Sequence, residues 1–294
     1  MDVIRAEVLG MCFGVRDALR AIAGVSRPME VTVHGQLVHN EEVSRRLQVL
    51  GFGTTGECEE ARRGVPATPV VLITAHGVSD RERARLESAG KTLIDTTCPL
   101  VTRAHDAAKK LHADGYFVVL IGRRDHVEVR GIVGDLERFE VVGSVDDVTV
   151  YPADRIGVVA QTTTPERVAA RVRDTIVARN PQARVKYVDT VCLPTKEHQR
   201  SLERLIDRVD AMVVVGGRQS NNTRELAALC RERGTPAWQV AEADEIDPSW
   251  FEGVATVGLT AGTSTLDETI RAVEDALRAI PSKVRGAELM LADA

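Results

Sequence analysis

Short apolar runs punctuate the chain. Most give way to a stretch in which apolar residues return every three or four positions. MEVTVHG at 29–35 leads into NEEVSRRLQVLG, TPVVLITAHG at 68–77 into SDRERARLESAG, and KTLIDTTC at 91–98 into PLVTRAHDAAKKLHADG. YFVVLIG (116–122), RIGVVAQ (155–161), VKYVDTVC (185–192), AMVVVGG (211–217) and TVGLTAG (256–262) continue the series, all but the first running into a helical pattern. A compact β-branched run is a buried strand and a 3.6-residue period is an amphipathic helix, so regular alternation predicts parallel sheets covered by helices, an α/β fold. Ser79-Asp80, Thr164-Pro165-Glu166 and Asn222-Thr223 are predicted helix starts, because hydroxyls and amides cap first-turn N–H groups and acids suit the positive helix end.

One device repeats. Asp-Thr, one variable residue and a cysteine close two of the runs, at Cys98 and Cys192, and Cys12 in AEVLGMCFGV has a similar setting. The intervals, 98 − 12 = 86 and 192 − 98 = 94, suggest three similar α/β units. The expected boundaries are 13–98, 99–191 and 192–282, with 1–12 and the C-terminal tail packing on the third. A thiol at a strand-to-helix junction faces unpaired amides and the positive helix end, both of which favour thiolate, the ligand form. Three such ligands suit either a zinc site or an iron-sulfur cluster. Zinc sites commonly use closely spaced pairs, which this chain lacks, whereas distant ligands can meet around a cluster. Cys230, within the helical face LAALC, and Cys58 are read as ordinary side chains without a ligand role.

Six strands end in polar loops, two in each third: VHGQLVHN (33–40), TAHGV (74–78), GRRDHVEV (122–129), AQTTT (160–164), GGRQSNNT (216–223) and TAGTST (260–265). Ligands of parallel α/β sheets bind beyond the carboxyl ends of strands, so these loops are the expected binding region. His39, His76 and His126 follow strands there. Glu128, two residues after His126, points the same way if DHVEV is extended. Amides and hydroxyls at helix starts, at Thr162–Thr164, Ser220–Thr223 and Ser264, form a phosphate cradle that needs no Walker lysine. His105, His112 and His198 fall on helices as hydrogen-bonded or solvent-facing groups.

Composition narrows the class further. Of 294 residues, 38 are Lys or Arg and 43 Asp or Glu, a net charge of −5, and aromatics make up 3%. That provides neither a basic surface for a phosphate backbone nor stacking platforms, so nucleic acid is not an expected partner. The acidic N-terminus MDVIRAEVLG does not read as a signal peptide, and no apolar run reaches the roughly 20 residues of a membrane span. A cytoplasmic protein with five reduced cysteines is expected.

Taken together, G-x-C-F-G-V (10–15), L-V-H-N (37–40), A-H-G-V (75–78), D-T-T-C-P-L (95–100), H-x-E-V (126–129), A-Q-T-T (160–163), S-x-N (220–222) and T-A-G-x-S (260–264) resemble the 4-hydroxy-3-methylbut-2-enyl diphosphate reductase (LytB) family along nearly the whole chain. The resemblance implies three α/β units around one 4Fe-4S cluster bound by Cys12, Cys98 and Cys192, its fourth iron open to substrate. It implies reductive dehydroxylation of an allylic diphosphate to isopentenyl and dimethylallyl diphosphate, the last step of the non-mevalonate isoprenoid pathway. Electrons would come from ferredoxin or flavodoxin, and the protein would be a monomer or homodimer. Glu128 maps onto the proton donor with Thr162 beside it. His39, His76, Ser220, Asn222 and Ser264 map onto diphosphate ligands, His126 onto a histidine near the same site, and Asn221 onto a backbone contributor. The chain departs from the family pattern at Val127, Leu193-Pro194, His198, Arg218-Gln219 and Leu266. Those departures leave a paralogue acting on another allylic substrate, or a non-catalytic iron-sulfur sensor, as alternatives.

Overall fold

The computed structural model describes residues 1–57 and 64–281. Cys58 lies outside them. Among the described residues, twelve strands form three sheets of four, every pairing parallel: β1 (Asp2–Arg5), β10 (Ala211–Val215), β11 (Ala237–Val240) and β12 (Thr256–Ala261) in one; β2 (Val31–Val33), β3 (Gly53–Thr54), β4 (Val70–Ile73) and β5 (Thr92–Asp95) in a second; β6 (Phe117–Ile121), β7 (Phe139–Val142), β8 (Arg155–Ala160) and β9 (Arg184–Tyr187) in the third. The expected α/β architecture with three small parallel sheets is what the chain adopts.

All three sheets share one topology. The orders β3-β2-β4-β5 and β7-β6-β8-β9 are both 2-1-3-4 in chain order. The order β11-β10-β12-β1 is the same pattern with the N-terminal strand in fourth place, where Asp2–Arg5 run in register with Thr256–Leu259. In a 2-1-3-4 sheet the connection direction reverses between strands 1 and 3, and the crevice beyond their carboxyl ends is where ligands bind. Those strands are β2/β4, β6/β8 and β10/β12, the six that carry the polar loops. The fourth strands, β1, β5 and β9, are followed by Cys12, Cys98 and Cys192.

By contact pattern the chain divides into two compact units, Cys12–Lys196 and Met1–Met11 with the chain from Glu197 on. In the larger unit, the sheet of β6–β9 buries two faces. Val119, Ile121, Ile156 and Val158 pack with Val172 and Ile176 of the helix Glu166–Arg179, while Val118, Leu120 and Val159 meet Ala104, Ala108 and Leu111 of Pro99–Ala113 and Ile132 of Val127–Val133. Alternate residues of a strand face opposite sides, so a sheet covered twice needs apolar residues at nearly every position. The smaller unit repeats this: Val213, Val215 and Leu259 face Ile270 and Val273, and Met212 and Val214 face Leu202, Leu226 and Cys230. Cys230 is thus a core side chain, donating its S–H to the Leu226 carbonyl at 3.3 Å. Among the described residues no helix is long and apolar enough to cross a membrane.

Two expected helix starts differ. Ser220, not Asn222-Thr223, caps Asn221–Glu232, its Oγ accepting from Thr223 N. Thr164 Oγ1 donates to the Ile121 carbonyl and Pro165 occupies the cap without a side-chain bond. The extended DHVEV on which the Glu128 reading was conditional is not found: Val127–Val133 is a helix with His126 at its N-cap.

Candidate active site

The three junction cysteines all begin helices of the larger unit, Cys12 before Phe13–Ala23, Cys98 before Pro99–Ala113 and Cys192 before Leu193–Ile206, whose first turn lies in that unit. All three are free thiols. First-turn amides face each sulfur: Gly14 and Val15 at Cys12, Leu100 and Val101 at Cys98, Thr195 at Cys192. Thr195 Oγ1 adds a 3.1 Å contact to Cys192 Sγ. Burial opposes these amides and raises the pKa of all three thiols, that of Cys192 to about 11.

The sulfurs are neighbours. Cys12 acts electrostatically on both Cys98 and Cys192, and a Cβ on Gly14 would stand 2.5 Å from Cys98 Sγ. A buried thiolate is costly without positive charge beside it, and Arg16 acts on Cys12. Three gathered thiols with amide donors at each sulfur, and room kept by a missing Cβ, suit a group that brings its own positive charge. An iron-sulfur cluster fits this donor set.

Glu128 acts on Cys98 and Cys192. It is 1% exposed, and burial lifts its pKa to about 7 against the two bonds it accepts from Thr162. Thr162 N–H donates to Oε1 at 2.7 Å and Thr162 Oγ1 lies 3.0 Å from Oε2. Thr162 Oγ1 donates to Oε2 when Glu128 is ionised; in the neutral acid, with Oε1 committed to the amide, Oε2 carries the proton and can return it to Thr162 Oγ1. The pair is a buried acid with a relay.

His126 Nδ1 accepts the N–H of Glu128 at 3.1 Å, so the helical turn links the two residues in place of the expected shared strand face. This fixes a neutral His126 with its hydrogen on Nε2. His39, His76 and His126 cluster, with ring centroids 4.3, 5.0 and 5.5 Å apart. Their ligating atoms approach within 4.8 Å, a spacing a metal ion could draw together. The His126 tautomer argues otherwise, because an Nε2–H is a donor and not a ligand. The cluster is suited to an anion. Burial lowers the pKa of His39 and takes that of His126 well below its ordinary value; Arg123 depresses both further.

Arg123 was not singled out among the candidates, although GRRDHVEV placed it in a post-strand loop. Gln36, 3.2 Å from His39 Nδ1, Gln161, accepting from Arg123 N, and Thr195 were also missed. Each supports a nominated residue through a distant or side-chain contact that has no periodic signature.

In the smaller unit, Asn222 Oδ1 accepts from Thr263 N at 3.0 Å, joining the loops after β10 and β12. Ser220, Asn221, Asn222 and Ser264 are all buried. Gly216 and Gly262 flank Thr223, whose Oγ1 would lie 2.5 and 2.1 Å from a Cβ at either position. These glycines let a helix start tuck between the ends of the two central strands. His198 Nδ1 is 3.1 Å from the Ala261 carbonyl, and burial lowers its pKa.

These features define a three-sheet parallel α/β protein with a trithiol centre acted on by a buried acid. The chain belongs to the LytB protein family, whose model matches residues 3–278. A 4-hydroxy-3-methylbut-2-enyl diphosphate reductase of Methylibium petroleiphilum is 38% identical over 287 residues, covering 95% of this chain and 85% of the relative. Among solved structures, a chain titled (E)-4-hydroxy-3-methyl-but-2-enyl diphosphate reductase, the terminal enzyme of the non-mevalonate pathway, is 34% identical with a TM-score of 0.63, covering 95% of this chain and 99% of the other. A Plasmodium falciparum reductase structure shares the fold, with a TM-score of 0.84 at 23% identity over 95% of this chain and 89% of that one.

Proposed function

We propose that the protein is a reductase that removes the hydroxyl of 4-hydroxy-3-methylbut-2-enyl diphosphate, giving isopentenyl and dimethylallyl diphosphate. The balance is two electrons and two protons in, one C–O bond broken, one C–H bond formed and one water released. Cys12, Cys98 and Cys192 would hold a 4Fe-4S cluster, which supplies electrons singly and one iron without a protein ligand. A protein carrier of the ferredoxin or flavodoxin kind delivers those electrons.

The observation that carries this reading is the buried acid: Glu128, with a pKa of about 7, acting on two of the three cysteines and bonded to Thr162. Loss of hydroxide from carbon is slow, and loss of water is fast. A neutral Glu128, through Thr162 Oγ1, supplies the proton that makes the difference. Amides and buried walls around the acid exclude bulk water as a competing proton source. The Nε2–H of His126, with His39 and His76, donates to the diphosphate; Ser220, Asn221, Asn222 and Ser264 are assigned as further diphosphate ligands, Asn221 through its backbone. A role limited to sensing would have no use for a relay-linked acid. Anaerobic turnover of protein reconstituted with iron and sulfide, driven by a strong one-electron reductant, tests the proposal: the allylic alcohol should disappear with stoichiometric donor oxidation. An unreduced alcohol in the presence of a full cluster would refute it.

A further inference from the structure

The loops assigned to the diphosphate carry an acid beside His39. Glu57 Oε2 lies 3.9 Å from His39 Nδ1, and Glu57 Oε1 accepts the N–H of Gln36 at 3.1 Å. Arg130, on the helix that His126 caps, donates to the main-chain carbonyl of Glu57, so the acid is anchored from a second element. Gln36 Oε1 approaches the same His39 nitrogen at 3.2 Å. A carboxylate next to a diphosphate is repulsive unless a cation stands between them.

The partners fix the hydrogen positions. A carboxylate can only accept, and the Gln36 oxygen also accepts, so Nδ1 of His39 carries a hydrogen. In a neutral ring Nε2, the nitrogen that meets a ligand, is then an acceptor, the wrong polarity for a phosphate oxygen. His126 is the opposite case: its Nδ1 accepts the Glu128 N–H, and its neutral ring already offers Nε2–H. The His39 ring is buried against those of His76 and His126, at 4.3 and 5.0 Å. Burial holds it neutral, and of the charged groups that act on it Glu57 and Glu41 favour the cation while Arg123 opposes it. His39 can donate to an anion through Nε2 only as imidazolium.

We propose that Glu57, with Gln36, is the positioning group of His39: it keeps a hydrogen on Nδ1 and supplies the negative charge that lets Nε2 take a proton from solvent as the diphosphate binds. The inference rests on the assignment of His39 to the diphosphate. One proton enters at His39 for each anion bound, and no electron moves. The site thereby gains positive charge only together with its ligand, and the imidazolium stands between the acid and the phosphate.

The test is titration calorimetry of the reconstituted holoprotein with inorganic pyrophosphate, in buffers of different ionisation heat, and it needs no turnover. Uptake at His39 is present below the pKa of the bound imidazolium and lost as pH rises through it. Glu57→Gln keeps an oxygen for the Gln36 N–H and removes the charge. The pH at which uptake is lost should fall by about one unit or more, and binding just below the parent's limit should weaken by about tenfold per unit. Glu57→Asp keeps the charge and should restore most of the shift. In a His39→Gln background, Glu57→Gln should move nothing. A uniform loss of affinity with an unmoved uptake profile would make Glu57 a structural residue and overturn the proposal, as would a parent protein that takes up no proton or does not bind pyrophosphate. Protein that shows the Glu57-dependent uptake yet leaves the allylic diphosphate unreduced would count against the reductase reading and leave this inference standing.

Discussion

Replacing Glu128 by Gln keeps shape and removes the proton, and its consequences can be worked out from the buried carboxyl. With a pKa of about 7 in place of 4.5, about half of the molecules carry the acid at pH 7, against about one in 300 for an ordinary glutamate. The fold therefore raises the supply of neutral acid by about two orders of magnitude. The same shift has a stability sign. Between pH 4.5 and 7 the unfolded chain has released this proton and the folded chain retains it. Stability falls as pH rises through that window, by about 3 kcal/mol in all, and the cost is complete above pH 7. Glu128→Gln should lack that slope. In the anaerobic pH profile, wild-type kcat should fall about tenfold per pH unit above about 7. The variant should be slower by about 10²–10⁴ and lose that limb, with iron content unchanged. A limb that survives the substitution, or a wild-type limb near pH 4.5, would remove Glu128 from the proton pathway.

Thr162→Val keeps the 2.7 Å amide bond to Oε1 and deletes the relay oxygen. Its kcat should drop by about 10²-fold or more, and the limb should move to higher pH because a bond lowering the Glu128 pKa is gone; an unchanged kcat would show that the acid delivers its proton directly. Gly14→Ala places a Cβ 2.5 Å from Cys98 Sγ, so iron and sulfide per chain should fall sharply after anaerobic reconstitution, whereas Cys230→Ala should leave them unchanged. Equal iron in the Gly14 variant would contradict the tight approach. His126 and His39 are held neutral by burial, and an anion should restore their basicity. Pyrophosphate binding near pH 6.5 should take up protons, seen calorimetrically as a buffer-dependent heat, and a heat independent of buffer would refute the imidazole assignment.

Most of the fold was legible where strands are buried on both sides. β4, β6 and β10 are unbroken apolar runs, and β8 and β12 largely apolar ones, as sheets covered by helices require. The strands that escaped notice, β3, β7 and β11, take second place in each sheet, at its edge. They are two to four residues long and half-exposed, as in FEVV and AWQV, so they show neither a run nor a clean alternation. β1 is hidden differently: its partner β12 lies some 250 residues away in the chain. GRRDHVEV reads as a polar loop after β6, yet five of the seven residues of Val127–Val133 are buried and the cap at His126 begins a helix there. The nominated site residues were visible because each sits in a loop or helix start that follows a strand, a position topology makes functional. Arg123 and Thr195 were not, since a loop arginine and a first-turn threonine gain their meaning only from what packs beside them.

The position of the cysteines follows from the shared topology. In a 2-1-3-4 sheet the fourth strand is at an edge, and here the chain leaving it goes on to another sheet. β1 leads through Cys12 to the helix before β2, β5 through Cys98 to the helix before β6, and β9 through Cys192 to the helix before β10. Each thiol therefore occupies a crossing where one sheet ends and a new helix begins with open amides. Strands 1 and 3 of each sheet end at its centre and carry the polar loops instead. One repeated connection thus separates two kinds of chemistry: soft ligands at the crossings, and acids, imidazoles and hydroxyls at the switch points. The N-terminal strand completes the last sheet, and because of this a chain with three sheets supplies three such crossings instead of two. Without β1 in fourth place beside β12, Cys12 would follow no strand.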